Sequence, residues 1–576
     1  MDEKEAPIDV IVVGAGIGGL CAAKTYLELA PGSNAIILEA RKTLGGVWAE
    51  ENLYEGLKTN NLYGTYEYSD YYMDPKIYDV QEGWHISGRV MYEYLTDYAR
   101  HFDILRRIHY LTTVNEIEKL DDGWLLHTTK MDGSVPAEKT YRSRKLIMCH
   151  GLASRPNPVN LPGHEEFDRP VFNHGALRSQ GEALANDPKV KSVTVVGASK
   201  IGYDAVYMFA THGKKVDWVV RKSGGGPVWM SSPWVKLGPW TVMLEHVACM
   251  RFFTWFSPCI WACYDGFGAI RGFLARTRIG RWLTDSLWEK IRFDVVDFNG
   301  YRKEEQLEHL EPFESLFWSA RVGILNYATD PHDFLRSGQV TLHKSDITLS
   351  PNGTVTYSDN TIRQTDALVQ ITGWQLTPTI KWSPSGIDAS IGIPSKTYTR
   401  SELDFWASLD AKADEEILRQ FPRLKDPPEK KLPFTQPITP MRLYRGIAPP
   451  GLTATGDRSL AFLKMVHCTS NLILAETQAL WSFAYLNNRL PIDEKSVYYD
   501  TALTSRFGKW RYPWGFSRWY PEFVYDAVPY ADMLLADLGL RRWRKAVFWR
   551  EWFEGYTVHD YKRINGEWVE REMRKG

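Results

Sequence analysis

The sequence contains few cysteines, and none of them forms a Cys-x-x-Cys pair. Its 576 residues include only six cysteines, so it lacks the redox-active pair of thioredoxin-like proteins and the paired cysteines of many zinc sites. Cys259 and Cys263 lie four residues apart, but Pro258 and the apolar neighbours predict buried thiols there. We therefore predict no metal site. Scattered single cysteines are typical of a reducing compartment, which predicts a cytoplasmic location.

The sequence also lacks an excess of charge of one sign. Lysine and arginine together number 69, aspartate and glutamate number 70, and the formal net charge is −1. Proteins that bind nucleic acid usually carry a basic surface that neutralises phosphates. This composition therefore gives no reason to expect a nucleic-acid partner.

No signal peptide and no long hydrophobic run is evident. The first residues, MDEKEAPIDV, are acidic and lead directly into a predicted strand. The best membrane candidate, FFTWFSPCIWACY at 252–264, has 13 residues and is interrupted by Pro258, whereas a spanning helix needs about 20 residues. Three interpretations stay open for it: packing inside a helical insert, contact with a membrane surface, or the lining of an apolar substrate channel. The sequence does not indicate the oligomeric state.

Aromatic residues are abundant, at 13% of the chain with 23 tryptophans, which indicates large apolar surfaces or a bulky substrate. The clearest pattern is a βαβ unit near the start. An apolar run at 8–13 predicts a buried parallel strand, 17–30 predicts a helix, and 35–38 predicts the next strand. Between the first strand and the helix stands the glycine-rich sequence GAGIGG.

This glycine-rich sequence has the spacing of a dinucleotide-binding loop. Gly14 permits the tight turn, Gly16 lets the backbone approach a pyrophosphate, and Gly19 lets the helix pack closely on the strand. Glu39 follows the next strand, 20 residues after Gly19, where an acid accepts hydrogen bonds from ribose hydroxyls. The first unit therefore predicts an FAD or NAD site.

A second βαβ unit at 193–220 contains the related loop GASKIG. Gly197 and Gly202 keep two of the glycine positions, and Ser199 replaces the middle glycine with another small residue. At the offset where the first unit has its acid, the second unit has Arg221 and Lys222. Cations at this position accommodate a 2′-phosphate, so we predict an NADPH site.

Several motifs in order resemble the flavin-containing monooxygenases, the class that also includes the Baeyer–Villiger monooxygenases. The resemblance covers about residues 8–490 and rests on GAGIGG, LEARKTLGGVW, YEGLKTN, LASRPNPVNLPG, GASKIGYD, DALVQITGW and ATGDRS. It implies an α/β fold with two Rossmann-like dinucleotide-binding domains, one for FAD and one for NADPH. It also implies that one atom of O2 is transferred to a small hydrophobic substrate. The implied intermediate of this transfer is a C4a-(hydro)peroxyflavin.

The domain organisation that we predict has four parts. The FAD-binding domain takes 1–165 and 351–490, and the NADPH-binding domain takes 166–350. An aromatic-rich helical insert occupies about 229–320, and an aromatic-rich extension occupies 491–576. We also predict one long helix at 459–486, directly after the ATGDRS loop.

The resemblance also implies roles for single residues. Gly46 and Trp48 flank the flavin, and Arg41 belongs to the same stretch, LEARKTLGGVW. Asp457 bonds the ribityl or pyrophosphate part of FAD, and Ser470 helps to aim a helix N-terminus at the flavin's pyrimidine edge.

Asn60 is the residue to which we assign a catalytic role. It stands where heteroatom-oxidising members have Asn and many Baeyer–Villiger enzymes have Asp, and its amide donates a hydrogen bond without adding negative charge. The alternative interpretation is a turn residue, because Asn60 and Asn61 precede a loop that contains Gly64.

One region departs from the family pattern. These families carry FxGxxxH before the second glycine loop, but here FDRPVFNH lacks the glycine and places His174 seven residues after Phe167 rather than six. Baeyer–Villiger oxidation, oxygenation of nitrogen or sulfur, and hydroxylation therefore stay open. Two other interpretations also remain: a flavin-dependent reductase acting on quinones, and a flavin-binding scaffold without catalysis.

Overall fold

Two separate sheets organise the chain, one mixed and one parallel, and each carries a glycine-rich loop at the carboxyl end of an inner strand. The computed structural model describes residues 8–133, 135–152, 154–427 and 438–575. In order along the chain, the strands are β1 (Ile8–Val13), β2 (Ala35–Leu38), β3 (Lys58–Leu62), β4 (His85–Ser87), β5 (Ile108–His109), β6 (Thr112–Leu120), β7 (Gly123–Asp132), β8 (Val135–Met148), β9 (Val171–Asn173), β10 (Ser192–Val196), β11 (Lys215–Val220), β12 (Trp229–Ser231), β13 (Trp234–Leu237), β14 (Trp240–Met243), β15 (Val322–Ile324), β16 (Val340–Lys344), β17 (Ile347–Ser350), β18 (Thr354–Tyr357), β19 (Ile362–Gln364), β20 (Ala367–Gln370), β21 (Lys381–Ser383) and β22 (Leu460–Phe462).

Helices cover both sheets and form most of the insert and the tail. In order along the chain they are α1 (Ile17–Leu29), α2 (Pro75–Tyr78), α3 (Gly88–His101), α4 (Glu182–Asn186), α5 (Lys200–Thr211), α6 (Leu244–Ala248), α7 (Arg251–Thr254), α8 (Gly268–Arg276), α9 (Arg278–Asn299), α10 (Asp333–Arg336), α11 (Ile387–Ile391), α12 (Arg400–Gln420), α13 (Pro450–Ala454), α14 (Asn471–Leu486), α15 (Val497–Arg511), α16 (Ala527–Asp537), α17 (Phe548–Phe553) and α18 (Ile564–Met573).

The first sheet has the order β21-β6-β7-β8-β1-β2-β5, and β22 pairs with β8. Strands β1, β2 and β5 are parallel, and β8 is parallel to β1 and to β22. Strands β6, β7 and β8 form an antiparallel meander. Because β1 lies inside the sheet and is covered by helices, all its residues from Val10 to Val13 are nearly inaccessible to solvent.

The second sheet has the order β16-β11-β10-β20-β9, with all its strands parallel. The predicted fold class, α/β with two Rossmann-like units, is therefore confirmed. Strand β20 lies between β10 and β9, so the second unit extends to Gln370. The domain boundary that the sequence suggested at residue 350 is too early, because the chain returns to this sheet after the small β17–β19 sheet.

The insert and the segment before α14 differ in detail from the sequence prediction. Between 229 and 320 the chain forms helices α6 to α9 but also the short strands β12, β13 and β14. The helix predicted at 459–486 begins only at Asn471, because Leu460–Phe462 pairs with the carboxyl end of β8. Three apolar residues buried beside a sheet are better stabilised as a strand than as a helix turn.

The tail packs against the rest of the molecule as part of its core. Helix α16 contacts α14, α15 contacts α12, and α18 contacts both α1 and α14. Tail residues such as Tyr556 and Trp568 belong to the hydrophobic core that also contains α1 and α14. Three interpretations of 252–264 were open. Trp255 and Trp261 are buried, which agrees with packing within the insert. No helix in the described ranges is long and apolar enough to cross a bilayer.

A buried ion cluster joins the insert to the tail. The guanidinium of Arg251 on α7 donates hydrogen bonds to Asp532 Oδ1 at 3.0 Å, to Glu551 Oε2 at 3.2 Å and to the hydroxyl of Tyr556 at 3.0 Å. All four side chains are essentially inaccessible to water. The insert and the tail are therefore expected to fold as one unit, because either part alone would bury unpaired charge.

We expect Arg251→Ala to lower the free energy of unfolding by about 3–5 kcal/mol, because it leaves two buried carboxylates without a cation. Urea unfolding followed by tryptophan fluorescence measures the change. Arg400→Ala is the matched control, since Arg400 forms an exposed pair with Asp404 on α12 and should cost no more than about 0.5 kcal/mol. Equal urea midpoints for the two variants would contradict the prediction.

Candidate functional site

The first glycine loop connects β1 to α1 with very close backbone contacts. A Cβ placed on Gly19 would lie 1.8 Å from the carbonyl oxygen of Gly14, and one placed on Gly14 would lie 2.6 Å from the carbonyl oxygen of Cys149. Gly16 is the N-cap residue of α1, and a Cβ on Gly46 would come within 3.2 Å of its Cα. The loop thus keeps a backbone-lined cradle at a helix N-terminus, which fits a pyrophosphate.

Glu39 reaches this cradle from the end of β2. Its carboxylate accepts hydrogen bonds from the backbone N–H of Ala15 at 2.7 Å and of Arg41 at 2.9 Å. The side chain is buried beside the loop, where a dinucleotide presents its ribose. The structure therefore brings together the glycines and the acid that the sequence predicted for the first site.

The stretch after β2 folds over the same cradle. Arg41 Nη1 donates to Asn52 Oδ1 at 2.9 Å, and Asn52 Nδ2 donates to the carbonyl oxygen of Gly46 at 2.8 Å. Trp48 is buried and meets Tyr66 edge-to-face, with ring centroids 6.3 Å apart. Asn52 was not among the predicted site residues, since its position in the sequence gives no sign that it anchors this loop.

The second glycine loop repeats the backbone of the first. A Cβ on Gly197 would lie 2.0 Å from the carbonyl oxygen of Ile371, and one on Gly202 would lie 2.3 Å from that of Gly197. Ser199 is the N-cap residue of α5 with φ −81° and ψ 176°, close to the −79° and −174° of Gly16. The serine therefore changes the side chain at this position without changing the path of the chain.

Arg221 and Lys222 lie at the same sheet edge as this loop. They follow β11, which is parallel to β10, and Gly197 N donates to the carbonyl oxygen of Val219 at 2.9 Å. Burial lowers the pKa of Arg221, which Asp346 partly offsets, and Lys222 is exposed. The two cations that the sequence predicted are thus beside the second cradle.

An ion pair between Arg321 and Glu314 holds the loop that follows Lys222. No sequence motif predicted it. Arg321 donates to both carboxylate oxygens of Glu314 at 2.6 Å, and its Nη1 donates to the carbonyl oxygen of Gly225 at 2.6 Å. Glu314 is fully buried. The loop beyond Lys222 is therefore anchored to the end of the insert.

Asn60 lies at the boundary between the two units. It is exposed on β3, and the second unit contacts this strand through Asn326, whose Nδ2 donates to the carbonyl oxygen of Thr59 at 3.2 Å. Nearby, the hydroxyl of Tyr54 donates to Asp204 on α5 at 2.8 Å. Asn60 is thus exposed on β3 next to the residue that Asn326 contacts, and its catalytic role stays a prediction.

The insert contributes an acid that contacts the loop after β3. Glu245 on α6 accepts a hydrogen bond from the hydroxyl of Thr65 at 2.5 Å. Burial raises the pKa of Glu245 to about 7, and hydrogen bonds from Thr65 and Asn61 oppose the rise. A carboxyl group that titrates near neutrality can hold or release a proton under working conditions, so Glu245 joins the candidate site although no sequence motif contains it.

The segment that follows β22 reaches the first glycine loop through Lys464, while the role of Ser470 stays a prediction. Ser470 is the buried N-cap residue of α14, and its Oγ lies 3.2 Å from Cys249 Sγ of the insert. Lys464 packs its side chain against Gly18, and its Nζ donates to Asn471 Oδ1 at 2.9 Å. Burial lowers the pKa of Lys464 to about 8.

The role predicted for Asp457 is not supported by its position. Strand β22 runs parallel to β8, and Phe462 at its carboxyl end pairs with Met148, which pairs with Val13 directly before the first glycine loop. The carboxyl end of β22 is therefore the end near that loop, whereas Asp457 precedes the amino end. At about 3.3 Å per residue, Asp457 is on the order of 15 Å from that edge. Its carboxylate instead pairs with Lys119 at 3.2 Å and accepts from the N–H of Ser459 at 2.8 Å.

An apolar cavity opens beside the first glycine loop, between the two chain segments that link the units. His150 forms its edge, and burial lowers the pKa of this imidazole. The apolar walls are formed by Leu152, Trp382, Ile393, Met441, Phe462 and Tyr520. No cluster of side chains suited to a metal ion occurs in the described ranges, and all six cysteines are free.

The departure at FDRPVFNH can also be located. His174 follows β9, is buried, and meets Trp374 edge-to-face with ring centroids 4.6 Å apart. Burial lowers its pKa to about 4, so the imidazole is neutral. His174 therefore packs against Trp374 as a buried, neutral side chain.

Comparison with known proteins identifies close similarity over the whole chain. The chain is 32% identical over 599 aligned residues to the FAD-dependent monooxygenase DEP4 of Fusarium langsethiae, an alignment that covers 100% of this chain and 98% of the relative. It is 30% identical over 586 residues to the FAD-dependent monooxygenase resA of Aspergillus sclerotiorum, covering 98% and 99%.

A family model and a solved structure agree with the fold. Residues 11–247 match the family described as pyridine nucleotide-disulphide oxidoreductase. The closed crystal structure of cyclohexanone monooxygenase superposes with a TM-score of 0.59 at 17% identity, covering 93% of this chain and 98% of that one. At this identity the superposition bears on the fold alone.

We expect Glu245→Gln to change how stability depends on pH. Because the native pKa of about 7 lies above the ordinary value of 4.5, the native state binds a proton that the unfolded chain releases. The contribution of Glu245 to stability therefore falls as pH rises from about 4.5 to about 7, and glutamine removes that fall. The melting temperature of the variant minus that of the wild type should therefore increase as the pH is raised from about 5 to about 8.

Glu93→Gln, on the exposed surface of α3, is the control for the loss of one negative charge. Its melting temperature should differ from that of the wild type by a constant amount across the same series. If Glu245→Gln also shows a constant difference, its carboxyl group does not titrate near neutrality.

Proposed function

The chain belongs to the FAD-dependent monooxygenases, and from that premise we propose that it uses NADPH and O2 to insert one oxygen atom into a small hydrophobic substrate. The observation that carries the proposal is the pair of matching cradles with opposite charge. Gly16 and Ser199 have the same backbone conformation at the N-termini of α1 and α5, yet Glu39 lies beside the first and Arg221 lies beside the second.

Each side chain then has a role that follows from its position. The N-termini of α1 and α5 bind the two pyrophosphates through backbone N–H groups. Glu39 accepts hydrogen bonds from the ribose hydroxyls of FAD, while Arg221 and Lys222 bind the 2′-phosphate of NADPH. When bound, the two cofactors supply the hydride transfer and the activation of O2, and the protein supplies orientation and a dry site.

Two polar groups on or near β3 are assigned a part in the reaction. Asn60 provides an uncharged hydrogen-bond donor from β3. Glu245 holds a proton on its carboxyl group and gives it up near neutral pH. The cavity bounded by Leu152, Phe462 and Tyr520 also has Arg155 and Gln375 in its lining, and we assign it to the substrate because it lies beside the first cradle.

We expect Arg221→Ala and Lys222→Ala each to raise the KM for NADPH by about tenfold or more, because each removes a charged partner of the 2′-phosphate. The KM for NADH, which lacks that phosphate, should change little. Steady-state kinetics with both nucleotides measures the ratio. Lys215→Ala is the control, since Lys215 is exposed at the opposite end of β11. Equal effects on NADPH and NADH would exclude the phosphate-binding role.

Turnover in isotopically labelled O2 tests the reaction class. Given NADPH and a panel of hydrophobic ketones, sulfides and amines, the enzyme should place one labelled atom in a product and the other in water. NADPH oxidation that requires a quinone and leaves every product unlabelled would identify a reductase instead. Failure to bind added FAD would identify a scaffold without catalysis.

The same assay isolates the contribution of Asn60. We expect Asn60→Ala to form less than about a tenth of the product per NADPH oxidised, with hydrogen peroxide released instead, because loss of one preorganised donor costs roughly a hundredfold in the step that it stabilises. Asn115→Ala, an exposed substitution on β6, should stay coupled. A fully coupled Asn60→Ala enzyme would show that Asn60 is only an exposed residue of β3 without a catalytic role.

A further inference from the structure

Five aromatic side chains are exposed together where the insert meets the tail. We call this surface the aromatic face, and it consists of Phe252, Trp543, Phe548, Trp549 and Phe553. Trp549 is 60% exposed and Phe548 is 58% exposed. Large aromatic side chains are seldom left in water as a group unless the surface binds something.

Contacts between rings hold the aromatic face in one arrangement. Phe252 lies 5.3 Å from Phe553, and Phe548 lies 5.7 Å from Trp543, measured between ring centroids. Beneath them Trp255 and Phe267 form a small buried core, and Trp543 stacks on Phe267 at 5.6 Å. These contacts hold four of the five side chains, and Trp549 lies on α17 four residues before Phe553, on the same side of that helix.

The aromatic face has a cationic edge. Among the described residues, three other cations nearby already have carboxylate partners: Arg544 pairs with Glu567, Lys545 with Asp560, and Arg550 with Glu554. Arg541 and Arg542 are exposed and donate only to carbonyl oxygens, those of Trp543 and Tyr264. Two positive charges thus remain uncompensated at the border of an apolar surface.

We propose that the aromatic face binds the surface of an anionic phospholipid membrane. Tryptophan and phenylalanine favour the boundary between head groups and acyl chains, and arginines beside them attract anionic lipids. A second copy of the chain fits less well, because a symmetric interface would bring two Arg541–Arg542 pairs together and repel. The proposed reaction uses none of these five aromatic residues. Membrane binding and oxygenation can therefore be tested, and can fail, independently.

Co-sedimentation of the FAD-loaded full chain with vesicles tests this proposal. Binding is compared on phosphatidylcholine alone and on phosphatidylcholine mixed with phosphatidylserine. The wild type should bind the mixed vesicles more tightly, and Arg541→Gln and Arg542→Gln should each weaken that binding about fivefold. Trp549→Ala should weaken it about tenfold, because it removes an aromatic side chain from the lipid boundary.

Phe298→Ala is the matched control. Phe298 is 58% exposed near the carboxyl end of α9 and lies outside the aromatic face. The Phe298→Ala variant should bind vesicles like the wild type. Circular dichroism and retained FAD show that each variant is folded.

Three results would overturn the proposal: no sedimentation of the wild type with either vesicle, equal binding by all variants, or equal binding to neutral and anionic vesicles. A fourth is a dimer, measured by light scattering without lipid, that Trp549→Ala converts to monomer while vesicle binding is absent. That result would assign the aromatic face to a second copy of the chain.

Discussion

The candidate site depends on how closely the backbone packs where each central strand turns into its helix. A side chain on Gly19 or on Gly202 would collide with a carbonyl oxygen of its own loop, at Gly14 or Gly197 respectively. These oxygens belong to residues that follow buried strands, so they cannot move without disturbing a sheet. The contact fixes each helix N-terminus at the carboxyl edge of its sheet, which is also where the chain leaves every neighbouring parallel strand.

Because the backbone is the same at both edges, the difference between the two cradles lies in the side chains that follow the neighbouring strands. Beside the first loop, Glu39 accepts hydrogen bonds from the loop itself. Beside the second, Arg221 and Lys222 bring positive charge, and the Arg321–Glu314 pair anchors the chain that follows them. One repeated fold unit can thus favour two different nucleotides through a few charged residues placed at an equal offset.

Much of this could be predicted from the sequence, because it depends on short-range patterns. Apolar runs, glycine spacing and the offset to Glu39 and Lys222 all lie within about one βαβ unit, and the family motifs added Arg41, Gly46 and Trp48. Asp457 shows where such reasoning ends: which end of β22 faces the site depends on pairing with β8, more than 300 residues away in sequence. Glu245 meets Thr65 across 180 residues, and no local pattern reports such a contact.

The insert therefore does more than cover the site. Through Glu245 it adds a carboxyl group that titrates near pH 7, and through Cys249 it contacts Ser470 at the start of α14. Lys464 donates to Asn471 at the same helix start, and burial lowers the pKa of Lys464 to about 8. Two groups whose pKa values lie near neutrality, a carboxyl group of the insert and an amine after β22, are thus held by different parts of the chain. Since Arg251 ties the same insert to the tail by buried charge, the tail helps to keep this acid in place.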